Sequence, residues 1–138
     1  MVRDKRRILL VDDDSAVRFV LQATLKGMGG DFEVVSASGF DAALAAFRTR
    51  SFDLLITDLM LRAGDGLDVT REMRALSPAL PVIWITGFGC ERFAREAEEL
   101  GVYRCLDKPV APSLLRRLAR EALKEDGRTA DDTELLSE

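Results

Sequence analysis

The 138-residue chain contains no histidine. That absence removes Ser/His and Cys/His catalysis, histidine metal ligation and any phosphohistidine carried by the chain itself. Its two cysteines, Cys90 and Cys105, are too few for a disulfide framework, which points to a reducing cytoplasm. Long hydrophobic runs are missing: none approaches the ~20 residues of a membrane span. The start, Met1 to Arg7, leads into an apolar stretch too short for a signal-peptide core and without a cleavage site. A basic patch dense enough for nucleic acid is also lacking, although Arg3 to Arg7 and Arg116, Arg117 and Arg120 are local concentrations. Neither a membrane nor direct nucleic-acid contact is expected.

What is present is an ordinary globular composition, 47% hydrophobic and 32% charged, in a length that suits one domain. The net charge of −4 is unevenly spread. Residues 126–138 hold five acidic side chains against Arg128, which leaves residues 1–125 with 19 of each sign. The imbalance belongs to the tail.

Short β-type runs alternate with helical segments. Arg7 to Asp12 is a continuous apolar run ending in acid, as a strand buried on both faces would be. Ala16, Val17, Val20, Leu21, Leu25 and Met28 then recur at helical spacing, and Gly27 with Gly29 and Gly30 ends that helix. Further strands are expected over 32–37, 53–58, 81–86 and 102–106. Between them lie a helix over 42–47 with Ser38 as N-cap, a stripe of Leu67, Thr70, Met73 and Leu76, and a face of Cys90, Phe93, Ala97 and Leu100. A last helix opens near Pro112. Five strands alternating with five helices predict an α/β fold, a parallel sheet covered by helices on both faces. Residues 6–124 form the domain, and 125–138 read as an acidic disordered tail.

Sites in such sheets form outside the carboxyl ends of the strands. Those ends carry Asp12 and Asp13, Asp58, Thr86 and Lys108. Each alone has an ordinary structural reading: a helix cap, a turn residue, a strand end, a solvated loop. Together they place three carboxylates, a hydroxyl and an ammonium on one edge. That set suits phosphoryl transfer, with Mg²⁺ neutralising the carboxylates and one of them attacking phosphorus.

These residues resemble the receiver domain of two-component response regulators, of the chemotaxis-regulator type, over about residues 6–124. The matching segments are Ile8 to Asp14, Asp58 with Asp65-Gly66, Ile85-Thr86-Gly87 and Asp107-Lys108-Pro109. The resemblance implies a flavodoxin-like sheet of order 2-1-3-4-5. It implies Asp58 as phosphoacceptor, served by a sensor histidine kinase or a histidine phosphotransfer protein. Asp12, Asp13, Asp58 and the Met60 backbone carbonyl should bind Mg²⁺, Lys108 should pair with the phosphoryl group, and Thr86 should move to hydrogen-bond it. Turnover is confined to the chain's own phosphorylation, so no external-substrate enzyme is expected.

The sequence makes three departures from the family pattern. Arg62 stands where proline is common. Cys105 stands where an aromatic switch residue is usual, with Tyr103 nearby on the same face by strand alternation; Cys105 is expected to be a small buried hydrophobe that leaves Thr86 room to move. Met60 and Phe88 occupy positions that tune phosphoryl loss, and neither can orient water. Two alternatives stay open: a haloacid-dehalogenase-like Mg²⁺ phosphatase using Asp12 as nucleophile, and a degenerate receiver that only binds. Residues 126–138 cannot build an effector domain, so output is expected through protein contacts, by a stand-alone receiver or by one cut from a larger regulator or hybrid kinase. A phosphorylation-dependent homodimer through helix 4, strand 5 and helix 5 is one form, the mixed charge of Arg95, Arg104, Arg116, Arg117, Arg120, Glu96, Glu98, Glu99 and Glu121 suiting reciprocal pairs.

Overall fold

The computed structural model describes residues 5–29, 32–61 and 65–125. Five strands, β1 (Arg6–Val11), β2 (Phe32–Ala37), β3 (Leu54–Asp58), β4 (Val82–Thr86) and β5 (Arg104–Asp107), alternate with five helices. The helices are α1 (Ser15–Lys26), α2 (Phe40–Thr49), α3 (Gly66–Leu76), α4 (Ala94–Leu100) and α5 (Pro112–Glu125). All strand pairs are parallel, in the order β2-β1-β3-β4-β5. From β1 the chain moves one way to β2 and then back past β1 to β3, so the switch point lies between β1 and β3.

Alternation along β1 divides the core. Ile8 and Leu10 face α1 and α5, packing with Leu21, Leu25, Leu115 and Leu118. Leu9 and Val11 face the other way, with Trp84, toward Ala43 of α2 and Val69 and Met73 of α3. Ile8 to Val11 are all fully buried, which explains why the run reads as continuously apolar.

The helix caps follow local chemistry. The Asp14 carboxylate accepts from the Ala16 and Val17 N–H groups, and Asp65 accepts from Asp68 N–H at 3.0 Å. The Lys108–Pro109 peptide is cis.

Several details differ from expectation. Helix α2 begins at Phe40 with Gly39 at its N-cap and no side-chain cap, so Ser38 does not cap it. Leu76 is exposed, because steps of three residues drift about 60° per step around a helix; the buried positions of α3 are Gly66, Val69, Thr70 and Met73. Val20 is likewise exposed. Cys90 to Phe93 form a separate 3₁₀ turn before α4 rather than its first turn. Strand β5 begins at Arg104, so Val102 and Tyr103 precede it. The expected disordered tail, apart from Glu125 at the end of α5, lies outside the described residues, as does Arg62.

One buried polar chain ties β4 to the first turn of α3. The Trp84 indole N–H donates to Thr70 Oγ1 at 2.8 Å, and the Thr70 hydroxyl donates to the Gly66 carbonyl at 2.7 Å. Both side chains are fully buried, and neither polar group is left without a partner.

Candidate functional site

The carboxyl ends of β1, β3 and β5 converge. Asp12 follows β1 and is 1% exposed; Asp58 ends β3 and is 6% exposed. Asp12 Oδ1 accepts from the Asp14 N–H at 2.9 Å, and the Arg18 guanidinium of α1 donates to the Asp12 carbonyl at 2.6 Å. Asp58 Oδ1 accepts from the Met60 N–H at 3.1 Å. Carboxylate oxygens of Asp12, Asp13 and Asp58 all lie within 4.8 Å of one another. Lys108, just past β5, places Nζ 2.7 Å from Asp58 Oδ2 and 3.4 Å from Asp12 Oδ2.

The electrostatics follow from this crowding. Burial raises the Asp12 pKa above its ordinary value, and the charge of Asp58 adds to the effect, against the opposing Asp14 N–H and Lys108. Burial alone would lower Lys108, but its hydrogen bond to Asp58 and the charges of Asp12 and Asp58 outweigh that and raise it. The three carboxylates form an all-oxygen donor set that fits a hard divalent cation, so Asp12, Asp13 and Asp58 could hold a metal ion.

The loop after β3 owes its course to Gly66. Its N–H donates to the Leu59 carbonyl at 2.8 Å, and a Cβ on Gly66 would overlap the Asp58 carbonyl oxygen. The Asp65-Gly66 pair therefore combines a helix cap with a close backbone approach behind Asp58.

Thr86 is fully buried at the end of β4, and its hydroxyl accepts from the Phe88 N–H at 3.0 Å. Its carbonyl accepts from the Lys108 N–H at 2.8 Å. Met60 and Phe88 are exposed at the mouth, at 47% and 54%. Beside Lys108 an open, mostly apolar groove of about 610 Å³ is lined by Val17, Val20, Leu21, Ile85 and Pro109.

Two expectations are corrected here. Cys105 is not a free buried hydrophobe: it is half-buried and disulfide-bonded to Cys90. The premise that two cysteines make no disulfide therefore fails, and with it the argument for a reducing compartment. Tyr103 and Cys105 also lie on opposite sides of the sheet. Tyr103 packs with the α1 and α5 core and its hydroxyl donates to Glu121 at 3.4 Å, whereas Cys105 packs on the α4 side. Strand alternation does not reach Tyr103, because β5 starts one residue later.

Sequence reasoning missed Arg18, the contact made by Asp107 and the partner of Cys105. Asp107 Oδ1 accepts the Cys90 N–H at 2.8 Å. That contact and the disulfide depend on the loop after β4 folding back onto β5, which only the pairing of these two strands makes visible.

A parallel 2-1-3-4-5 sheet bearing an acidic pocket and a lysine at its carboxyl edge is the architecture of a signalling receiver. The family model for the response regulator receiver domain matches residues 8–120. The chain belongs to that family. It is 37% identical over 123 residues to transcriptional regulatory protein ZraR of Salmonella typhimurium, covering 89% of this chain but 27% of that protein. The chain thus spans about a quarter of the length of such relatives. A CheY-like receiver domain protein from Methanospirillum hungatei superposes with a TM-score of 0.82 at 28% identity, covering 89% of this chain and 97% of that one. The receiver domain of NtrX from Brucella abortus does so at 0.78 and 34%, covering 85% and 98%. Among the described residues no helix is long and apolar enough to cross a membrane.

Proposed function

We propose that this receiver accepts a phosphoryl group on Asp58 from a phosphohistidine of a sensor histidine kinase or a histidine phosphotransfer protein, and that the acceptor region is one domain over residues 6–124. The observation that carries the reading is the Lys108 ammonium 2.7 Å from Asp58 Oδ2, within a cluster of three carboxylates. Asp58 attacks phosphorus; the bond from phosphorus to the donor imidazole nitrogen breaks, and that nitrogen keeps the electron pair. These 138 residues hold no histidine, so the donor imidazole lies outside them.

Asp12, Asp13, Asp58 and the Met60 carbonyl would hold Mg²⁺. When bound, it neutralises the carboxylates and the phosphoryl oxygens. Lys108 then exchanges its contact with Asp58 for the phosphoryl oxygens, and Thr86 gives up the Phe88 N–H to donate its hydroxyl to the new group. Such catalysis is positioning and charge stabilisation. The chain turns over no external substrate. Phosphorylation alters protein contacts in the cytoplasm, and the face of α4, β5 and α5 is one site for a homodimer. The open apolar groove beside Lys108 gives a donor protein surface to rest on.

The phosphatase reading has less support. Asp12 is 1% exposed and holds the Asp14 N–H, and the nearer partner of Lys108 is Asp58.

Incubation of the chain with Mg²⁺ and acetyl phosphate, followed by intact mass measurement, tests the assignment. One phosphoryl adduct is expected on the wild type and none on Asp58→Asn. An adduct retained by Asp58→Asn overturns it, as does steady hydrolysis of a generic phosphate ester.

A further inference from the structure

The loop after β4 is fastened to β5 at Cys90. Three residues separate Cys90 from Thr86: Gly87, Phe88 and Gly89, the last in the left-handed region at φ 93°. At Cys90 the backbone N–H is held by the Asp107 carboxylate and the side chain is bonded to Cys105. The two Cα atoms are 5.9 Å apart, a separation that a disulfide spans without backbone movement. Both cysteines are half-buried rather than enclosed in the core. The same loop supplies the Phe88 N–H that occupies the Thr86 hydroxyl.

We propose that Cys90 and Cys105 are a reversible redox modification site, written by a low-molecular-weight disulfide, whose oxidised form clamps the loop and restrains Thr86. One cysteine thiolate attacks a sulfur of the small disulfide, forming a mixed disulfide and releasing one small thiolate. The second cysteine thiolate attacks the protein sulfur of that mixed disulfide and releases the other. Two protein thiols are oxidised, one small disulfide is reduced to two thiols, and the two protons pass to the released thiolates. An excess of small thiol runs the exchange backwards.

The consequence is mechanical. For the Thr86 hydroxyl to turn toward Asp58 it must release Phe88, and residues 87–89 must rearrange. With Cys90 covalently fixed to β5, that rearrangement is confined to three residues between two anchored ends. Reduction leaves Cys90 held by one hydrogen bond to Asp107, which the loop can exchange for water. The chemistry stands independently of the proposed phosphoacceptor function; the effect on phosphorylation rests on it.

Treatment of the full chain with glutathione disulfide or with excess dithiothreitol tests the inference through three readouts: alkylation of free thiols, amide exchange across residues 87–93, and the rate of adduct formation from acetyl phosphate with Mg²⁺. The oxidised chain should lose both alkylatable thiols and exchange more slowly across the loop. It should form the adduct at least about fivefold more slowly than the reduced chain, at the lower end of ordinary coupling between sites. Cys90→Ser can form at most a mixed disulfide at Cys105, so oxidant should slow neither its loop exchange nor its adduct formation. Thiols that stay alkylatable in glutathione disulfide overturn the modification site. A disulfide that forms without changing loop exchange or adduct rate overturns the clamp. Absence of adduct in every redox state sinks the Asp58 reading instead, and the clamp is then decided by amide exchange alone.

Discussion

Gly66 is packed against the backbone of Asp58 so closely that a Cβ would overlap the Asp58 carbonyl oxygen and come within 2.9 Å of Leu59 Cα. Atoms of main chain cannot yield as the tip of a flexible side chain can. The first residue of α3 is therefore what fixes the height of the loop behind Asp58.

Gly66→Ala reverses an ordinary sign. In a helix, alanine is normally preferred to glycine by up to about 1 kcal/mol. Here overpacking should cost about 1–3 kcal/mol. A lower melting temperature, together with a weaker Mg²⁺-dependent rise in it, is expected from thermal unfolding with and without the ion. A variant as stable as the wild type would show that the loop has room to shift.

Asp12 links stability to pH in the direction opposite to an ion-paired carboxylate. Its folded pKa is raised, chiefly by burial, so the folded chain holds the proton more tightly than the unfolded one. The stability this provides is complete below the ordinary value of 3.8 and is lost as pH rises through the raised folded value. Burial therefore opposes the charged form of Asp12 in the metal-free chain. Asp12→Asn keeps an oxygen for the Asp14 N–H and should melt about 2–4 °C higher in EDTA, a gain of about 1 kcal/mol. Added Mg²⁺ should raise the wild type more than the variant, and less so as acid protonates the carboxylates. A variant that melts lower than the wild type in EDTA contradicts this account.

The strands and the five chemical positions were legible because they depend on local signals. Apolar runs ending in Asp12, Asp58 and Thr86 identify strand ends, and parallel topology alone brings such ends to one edge. What stayed hidden depends on pairings remote in sequence. Cys90 reaches Cys105 across 15 residues, and its N–H reaches the Asp107 carboxylate across 17. Tyr103 departs from expectation because strand alternation does not extend to the residue before β5. Leu76 misled because a spacing of three mimics a stripe over two steps and leaves it by the third.

Thr70 carries a cost that its residue type conceals. It looks like a neutral helical position, yet its hydroxyl is the acceptor for the fully buried Trp84 N–H. Thr70→Val keeps the shape and strands that donor, which should destabilise the chain by about 1–3 kcal/mol. Thr70→Ser keeps the oxygen and should recover most of the loss. Equal denaturant midpoints for the two variants would mean that the indole finds water instead.

Met60 offers the sharpest test of how long the proposed aspartyl phosphate lasts. Its side chain stands at the mouth of the site, 47% exposed, and has no group that could orient an attacking water. Phe88, on the opposite loop, has none either. Water should then attack the phosphoryl group unaided. Met60→Asn supplies an amide at the same position, and a barrier lowered by 1.36 kcal/mol corresponds to about tenfold faster loss. After removal of the phosphodonor, intact mass measured over time should show the wild-type adduct outlasting that of Met60→Asn. A wild-type adduct lost as fast as the variant's would mean that water is positioned by some other group, and that the apolar rim does not set the lifetime.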